Sequence, residues 1–178
     1  AMADTARGHE FCVPGGAFLS AGHAWVRIEP DGQVRIGFDD FARKALGPIE
    51  HVELPKMGET VGHGEPLFAV RRGDRTAHFA APVGGQVMRV NGALLEEPSL
   101  VSQSPYLRGW VCLIQPTDLA GDLPALRIGQ QVVAWYQEEI ARLREATGLG
   151  AAGAPLDDWA AFERAFLMLA EGEQPVLP

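Results

Sequence analysis

Short apolar runs bounded by Gly, Pro and Asp dominate the first two thirds of the chain, and a helical period takes over only towards its end. Ala24 to Ile28, Gln33 to Gly37, His51 to Leu54, Pro66 to Val70, Thr76 to Ala80, Val87 to Val90 and Gly109 to Gln115 read as strands. Asp31-Gly32 and Gly73-Asp74 separate neighbouring runs and tolerate positive φ, which predicts two tight hairpins. Asp39 or Asp40 caps a short helix over Phe41 to Leu46, stopped by Gly47-Pro48. A long helix over about 125–146 places Val132, Val133, Tyr136, Ile140 and Leu143 on one face. A final helix, capped by Asp157 or Asp158, aligns Trp159, Phe162, Phe166 and Leu169.

One stretch organises the rest. From Val61 to Val87 two strand-like runs meet at Arg71-Arg72-Gly73-Asp74-Arg75, and a turn followed by a strand flanks them twice, at Pro55 to Gly64 and at Pro82 to Val87. That repetition predicts a pseudo-symmetric pair of small sheets. Residues 1–22 read as an irregular leader, within which Ala1-Met2-Ala3 looks like an addition with no part in the fold. Residues 23–147 form the main domain. Residues 148–178 comprise a small-residue linker, Gly148 to Pro155, and the appended amphipathic helix. The bulky stripe on that helix must be buried, on its own domain or in a partner.

The 178 residues suffice for one domain with an appendage and a real core. A net charge of −8 argues against a general nucleic-acid binder, which needs clustered positive charge. No apolar run is long enough to span a membrane and no secretory leader is visible, so a cytoplasmic protein without membrane attachment is expected.

Candidate chemistry is sparse. Cys12 and Cys112 are far apart and suggest reduced thiols rather than a disulfide; Cys12 is the candidate thiol, and Cys112 sits in an apolar run. His9 and Cys12 are half a metal site with no second half, so no metal is expected. His23, His51, His63 and His78 share no face or ligand spacing and read as structural or solvated. Glu96 and Glu97 read as a solvated helix end. With no nucleophile and base, no metal set and no phosphate loop, there are no catalytic residues to name and the chain reads as a non-enzyme. What remains is Arg71, Arg72, Gly73, Asp74 and Arg75, a cationic hairpin tip suited to an acidic partner or a small anion.

The ordered motifs resemble the lipoyl/biotinyl-type domains, and within them the glycine cleavage system H-protein family. His23-Ala24-Trp25-Val26 is similar to that family's H-x-W-V, and Val34-Arg35-Ile36-Gly37-Phe38-Asp39-Asp40-Phe41-Ala42 to its V-x-V-G-I-T-D-Y-A. Ala45-Leu46-Gly47-Pro48-Ile49, then Val52-Glu53-Leu54-Pro55 with Gly58, Val61 and Gly64, continue the likeness in order. So do Val90-Asn91 and Ser104-Pro105-Tyr106 with Gly109-Trp110, and the resemblance runs from about Gly22 to Leu143.

The resemblance implies a β-rich α+β fold: a barrel-sandwich hybrid of two small pseudo-symmetric sheets with peripheral helices and an extra C-terminal helix. It also implies a hairpin sequence E-S-V-K-A whose lysine carries a lipoyl group. Counting back without gaps from Ala81-Pro82-Val83, that lysine falls on Asp74 and the glutamate on Arg71. Only Lys44 and Lys56 are lysines, and neither lies in the hairpin. The expectation is therefore a non-lipoylated relative that binds a larger redox or one-carbon complex. The alternatives are a group carrier using Cys12 or an atypical lysine, and a non-covalent binder of lipoate or another small anion.

Overall fold

The apolar runs pair as antiparallel strands in the computed structural model, which describes residues 2–6, 9–13, 16–128, 135, 138–139, 141–142, 145 and 159–166. β1 (Met2–Ala6) and β2 (His9–Val13) pair with each other. β3 (Phe18–Leu19), β4 (Ala24–Ile28), β5 (Val34–Phe38), β11 (Cys112–Pro116), β10 (Gly85–Val90) and β7 (Thr60–Val61) form a six-stranded sheet in that spatial order. β6 (His51–Glu53), β8 (Pro66–Arg72) and β9 (Arg75–Ala80) form a three-stranded sheet.

These sheets correct the expected barrel. They are unequal, and neither closes on itself: the larger ends at β3 and β7, the smaller at β6 and β9. The sequence repeat of turn and strand is local grammar, whereas pairing is decided by which strands can share a buried face. β10 pairs over its whole length with β11, while the two-residue β7 meets only Gly85 and Gln86. The supposed halves therefore fall into sheets of different size. Extended pairs also occupy the supposedly irregular leader, because β1 and β2 pair together and β3 joins the large sheet.

α1 (Asp40–Leu46) starts where its sequence indicates, with Asp39 accepting from the Ala42 N–H at 2.8 Å and Gly47 ending it at φ 70°. α2 (Ala93–Glu96), α3 (Leu100–Gln103) and α4 (Leu119–Asp122) are single turns. The long helix does not begin near 125. Leu123–Ala125 is a 3-10 turn, and Arg127 is extended because it pairs with Leu19 on the edge of the large sheet through two backbone bonds of 2.8 and 2.9 Å. Helix is present at 135, 138–139, 141–142 and 145; Val132, Val133, Tyr136, Ile140 and Leu143 lie outside the described residues, as do the 148–155 linker, Asp157, Asp158 and Leu169. α5 (Trp159–Phe166) is the appended helix, of which Trp159 and Phe162 are buried.

The core lies between the two sheets. Phe68 stacks on Phe79 at 4.7 Å, and Phe38 meets Phe79 edge-on at 5.6 Å. Burying each such ring contributes roughly 2–3 kcal/mol. α5 runs beside β9, the edge strand of the smaller sheet, and adds Phe162 against Phe79 at 5.9 Å. Its Glu163 accepts from the backbone N–H of His78, an edge donor that would otherwise face solvent, and pairs with the His78 ring at 2.7 Å. Covering an edge strand in this way removes a template for pairing with another chain.

Candidate functional site

The hairpin tip is a two-residue turn. Arg72 pairs with Arg75 as the last rung, and Gly73 takes φ 60°, a conformation open to glycine at little cost. Strand alternation then separates the arginines. Arg72 and Arg75 share a side, whereas Arg71 points the other way, between His51 and Thr76. Arg72 lies over the Trp159 ring of α5, 5.6 Å from its centroid. The Gly73 N–H donates to Glu50, the residue just before β6, at 3.2 Å, which steadies the turn from below. Arg71, Gly73 and Asp74 are exposed and Arg72 and Arg75 partly so. The tip therefore presents charge, but not three guanidiniums converging on one point. Among its five residues there is no primary amine to form an amide with a lipoyl carboxyl.

A second constellation sits in the interior and was not legible as a site. His23 is fully buried with φ 61°, a left-handed backbone that costs a non-glycine residue about 1 kcal/mol or more. Its backbone is held by bonds from its N–H to Ser20 and from the Asp39 N–H to its carbonyl. Its ring is held by Asp39 at 2.7 Å on Nδ1 and by Glu139 at 3.5 Å on Nε2. Phe41 stacks on one face at 4.4 Å and Trp135 on the other at 4.8 Å. Glu139 in turn accepts from the Trp135 indole N–H at 3.1 Å and from Arg142 at 3.3 Å. Burial alone would push the imidazole pKa down; the carboxylates of Asp39 and then Glu139 outweigh it and raise the value to about 9. His23 is thus an imidazolium clamped between two aromatic faces, tying β4, α1 and the 135–142 helical residues together.

The remaining candidates are dispersed. Cys112 is buried and unpaired by any disulfide, with burial pushing its thiol up to about 12. Cys12 lies on β2 opposite Ala3. His63 and His78 are exposed, facing Asp122 and Glu163, and Glu96 and Glu97 are exposed at the end of α2. No group of three or more His, Cys, Asp or Glu among the described residues is arranged to hold a metal ion, and no described helix is long and apolar enough to cross a membrane.

Comparison with known proteins resolves the family. The profile described as "Glycine cleavage H-protein" matches residues 18–139. The chain belongs to the glycine cleavage H-protein family. A probable glycine cleavage system H protein of Thermococcus kodakarensis is 35% identical over 121 residues, covering 68% of this chain and 90% of the relative. The glycine cleavage system H protein of Geobacillus thermodenitrificans is 38% identical over 116 residues, 65% of this chain and 90% of its own. A crystal structure of a glycine cleavage system H protein from Mycobacterium marinum superimposes with TM-score 0.56 at 37% identity, over 59% of this chain and 87% of that one.

Membership in the H-protein family agrees with a non-catalytic role. The family match includes the hairpin, His23, Asp39, Trp135 and Glu139, and stops before α5. His23 lies inside the matched region, whereas its cover by Phe162, 6.1 Å away, comes from outside it. By spacing alone His23 is one of several scattered histidines. Its signal was the pairing of the His23-Ala24-Trp25-Val26 motif with Asp39, but sixteen residues of separation hide such a contact until β4 and β5 are laid side by side.

Proposed function

We propose that this chain is an H-protein-family binding or scaffold protein without a lipoyl arm, which docks to a larger redox or one-carbon enzyme assembly. The observation carrying this reading is the hairpin turn itself. Ungapped counting from Ala81-Pro82-Val83 puts Asp74 where the family's lysine is expected, and the turn from Arg71 to Arg75 offers carboxylate and guanidinium but no amine. Neither group forms the amide that attaches lipoate. Of the two lysines, Lys44 is on α1, 3.7 Å from Asp40, and Lys56 is in the exposed turn before Gly58.

Loss of the amine leaves the fold and its surface as the useful product. The tip projects beyond the smaller sheet, is anchored from below by Glu50 and from the side by Trp159, and so presents its charges in a defined geometry. An acidic surface on a partner would find Arg71 exposed on one side and Arg72 with Arg75 on the other. The test is the intact mass of the protein purified from its own host, with peptide mapping of Cys12, Lys44 and Lys56. A mass equal to that of the bare chain is expected. A lipoyl-sized or other acyl adduct would overturn the reading and make the modified residue the carrier site.

A further inference from the structure

The outer side of the six-stranded sheet carries a row of arginines remote from the hairpin. Arg27 on β4 lies opposite Arg35 on β5, Arg35 opposite Leu113 on β11, and Leu113 opposite Arg89 on β10. Residues directly paired across antiparallel strands project to the same side, so the three guanidiniums form one line. Like charges in that position repel. Arg89 reaches the line through a bulge: Val87 pairs with Ile114, Arg89 with Leu113, and Met88 is the extra residue. Strict alternation would have put Arg89 on the same side as the fully buried Val87, so the bulge turns it out of the core.

Aromatic rings hold these side chains in place. Arg35 and Arg89 both lie over the half-buried Trp110, at 4.8 and 6.0 Å from its centroid, and Arg27 lies over Trp25 at 5.4 Å. Arg27 also donates to the Tyr106 carbonyl at 3.3 Å, and Arg35 pairs with Glu29 at 2.7 Å. Arg89 is exposed and has no ion pair among the described residues. Leu107, whose carbonyl accepts the Trp110 N–H, is 69% exposed beside the row.

We propose that this face docks an acidic, partly apolar peptide segment of a partner protein, with its carboxylates on Arg35 and Arg89 and an apolar side chain against Trp110 and Leu107. Charge complementarity argues for that occupant: the row is a local positive stripe on a chain of net charge −8. A nucleic acid, with phosphates along its whole length, would meet the acidic remainder of the surface, whereas a short acidic segment meets only the stripe. The proposal stands apart from the lipoyl reading, because these residues are on the other sheet from the hairpin. Loss of either leaves the other intact.

Titration of the full chain with a short synthetic glutamate-rich peptide containing leucine, followed by tryptophan fluorescence, tests the proposal. Saturable binding is expected, weakened about tenfold or more by Arg89→Glu and by raised salt. Arg89→Lys should retain part of it, and Lys56→Glu, the same charge reversal at an exposed turn outside both cationic surfaces, should leave it unchanged. Arg35→Ala, checked for folding by circular dichroism, provides a second loss that does not depend on introducing a negative charge. Absence of binding, equal weakening by Lys56→Glu, or tighter binding of a single-stranded oligonucleotide overturns the proposal. So does a dimer of the free chain that Arg89→Glu dissociates, since the occupant would then be a second copy.

Discussion

The interior cluster around His23 and the hairpin tip around Asp74 use the same kinds of charge under opposite conditions. At His23 the imidazolium, Asp39 and Glu139 are buried, and the two carboxylates lie 2.7 and 3.5 Å from the ring nitrogens. At the tip Arg72 lies over the Trp159 ring, and the charges remain in contact with water. Removing one member of a buried pair strands the other without solvent, at a cost of about 3–5 kcal/mol, whereas exposed pairs contribute about 0–1 kcal/mol. Charge in the first region therefore serves assembly of the fold, and charge in the second is available for recognition. That contrast is open to direct attack.

The largest effect should come from Asp39→Ala, which strips the Ala42 N–H of its cap and His23 of its nearest carboxylate. A loss of about 3–5 kcal/mol in urea denaturation is expected; a change below about 1 kcal/mol would show that the cluster is tolerated rather than required. Next is pH. The protonated His23 stabilises the fold fully below its ordinary value of 6.5, and that stabilisation disappears as pH rises through about 9. The size is on the order of 3 kcal/mol by the usual conversion of a pKa shift. His23→Gln should flatten stability between those two values; a parent protein already flat across that window would remove the imidazolium from the account.

Phe162→Ala opens a space between β9 and His23 and should cost about 3 kcal/mol, read most directly as faster hydrogen exchange in α5 and β9. If exchange in β9 stays unchanged, α5 is not part of the same cooperative unit. Glu163→Ala leaves the His78 backbone N–H without its carboxylate and should cost about 1 kcal/mol, with His78 exchanging faster than its neighbours. Smallest of all, Asp74→Lys should leave the denaturation midpoint where it was, because the side chain is exposed and the turn is shaped by Gly73. A marked loss there would give the tip a structural role like that of the His23 cluster.

Local physics is legible in the order of residues alone. Asp39 as a cap, Gly47 as a stop, Asp31-Gly32 and Gly73-Asp74 as turns, and the strands between them depend on neighbours a few residues away, and each is found where residue chemistry indicates. Matters of long range are not. The pair of sheets expected from a repeated turn and strand is present, but as sheets of six and three strands that do not close into a barrel, because pairing partners are chosen across the whole chain. The helix expected from about 125 was displaced by a backbone pairing with Leu19, a partner far upstream. The outward turn of Arg89 depends on one bulged residue that alternation cannot anticipate.

By itself the amino-acid order determined the family, the strands and turns, and the absence of an amine at Arg71 to Arg75, since all of these reside in residue type and local spacing. Tertiary structure decided which charges are buried together, which arginines share a face, and where the appended helix lies. The reason is physical: the cost of a charge and the direction of a side chain are set by what packs against it, and those neighbours are brought together only when the sheets form.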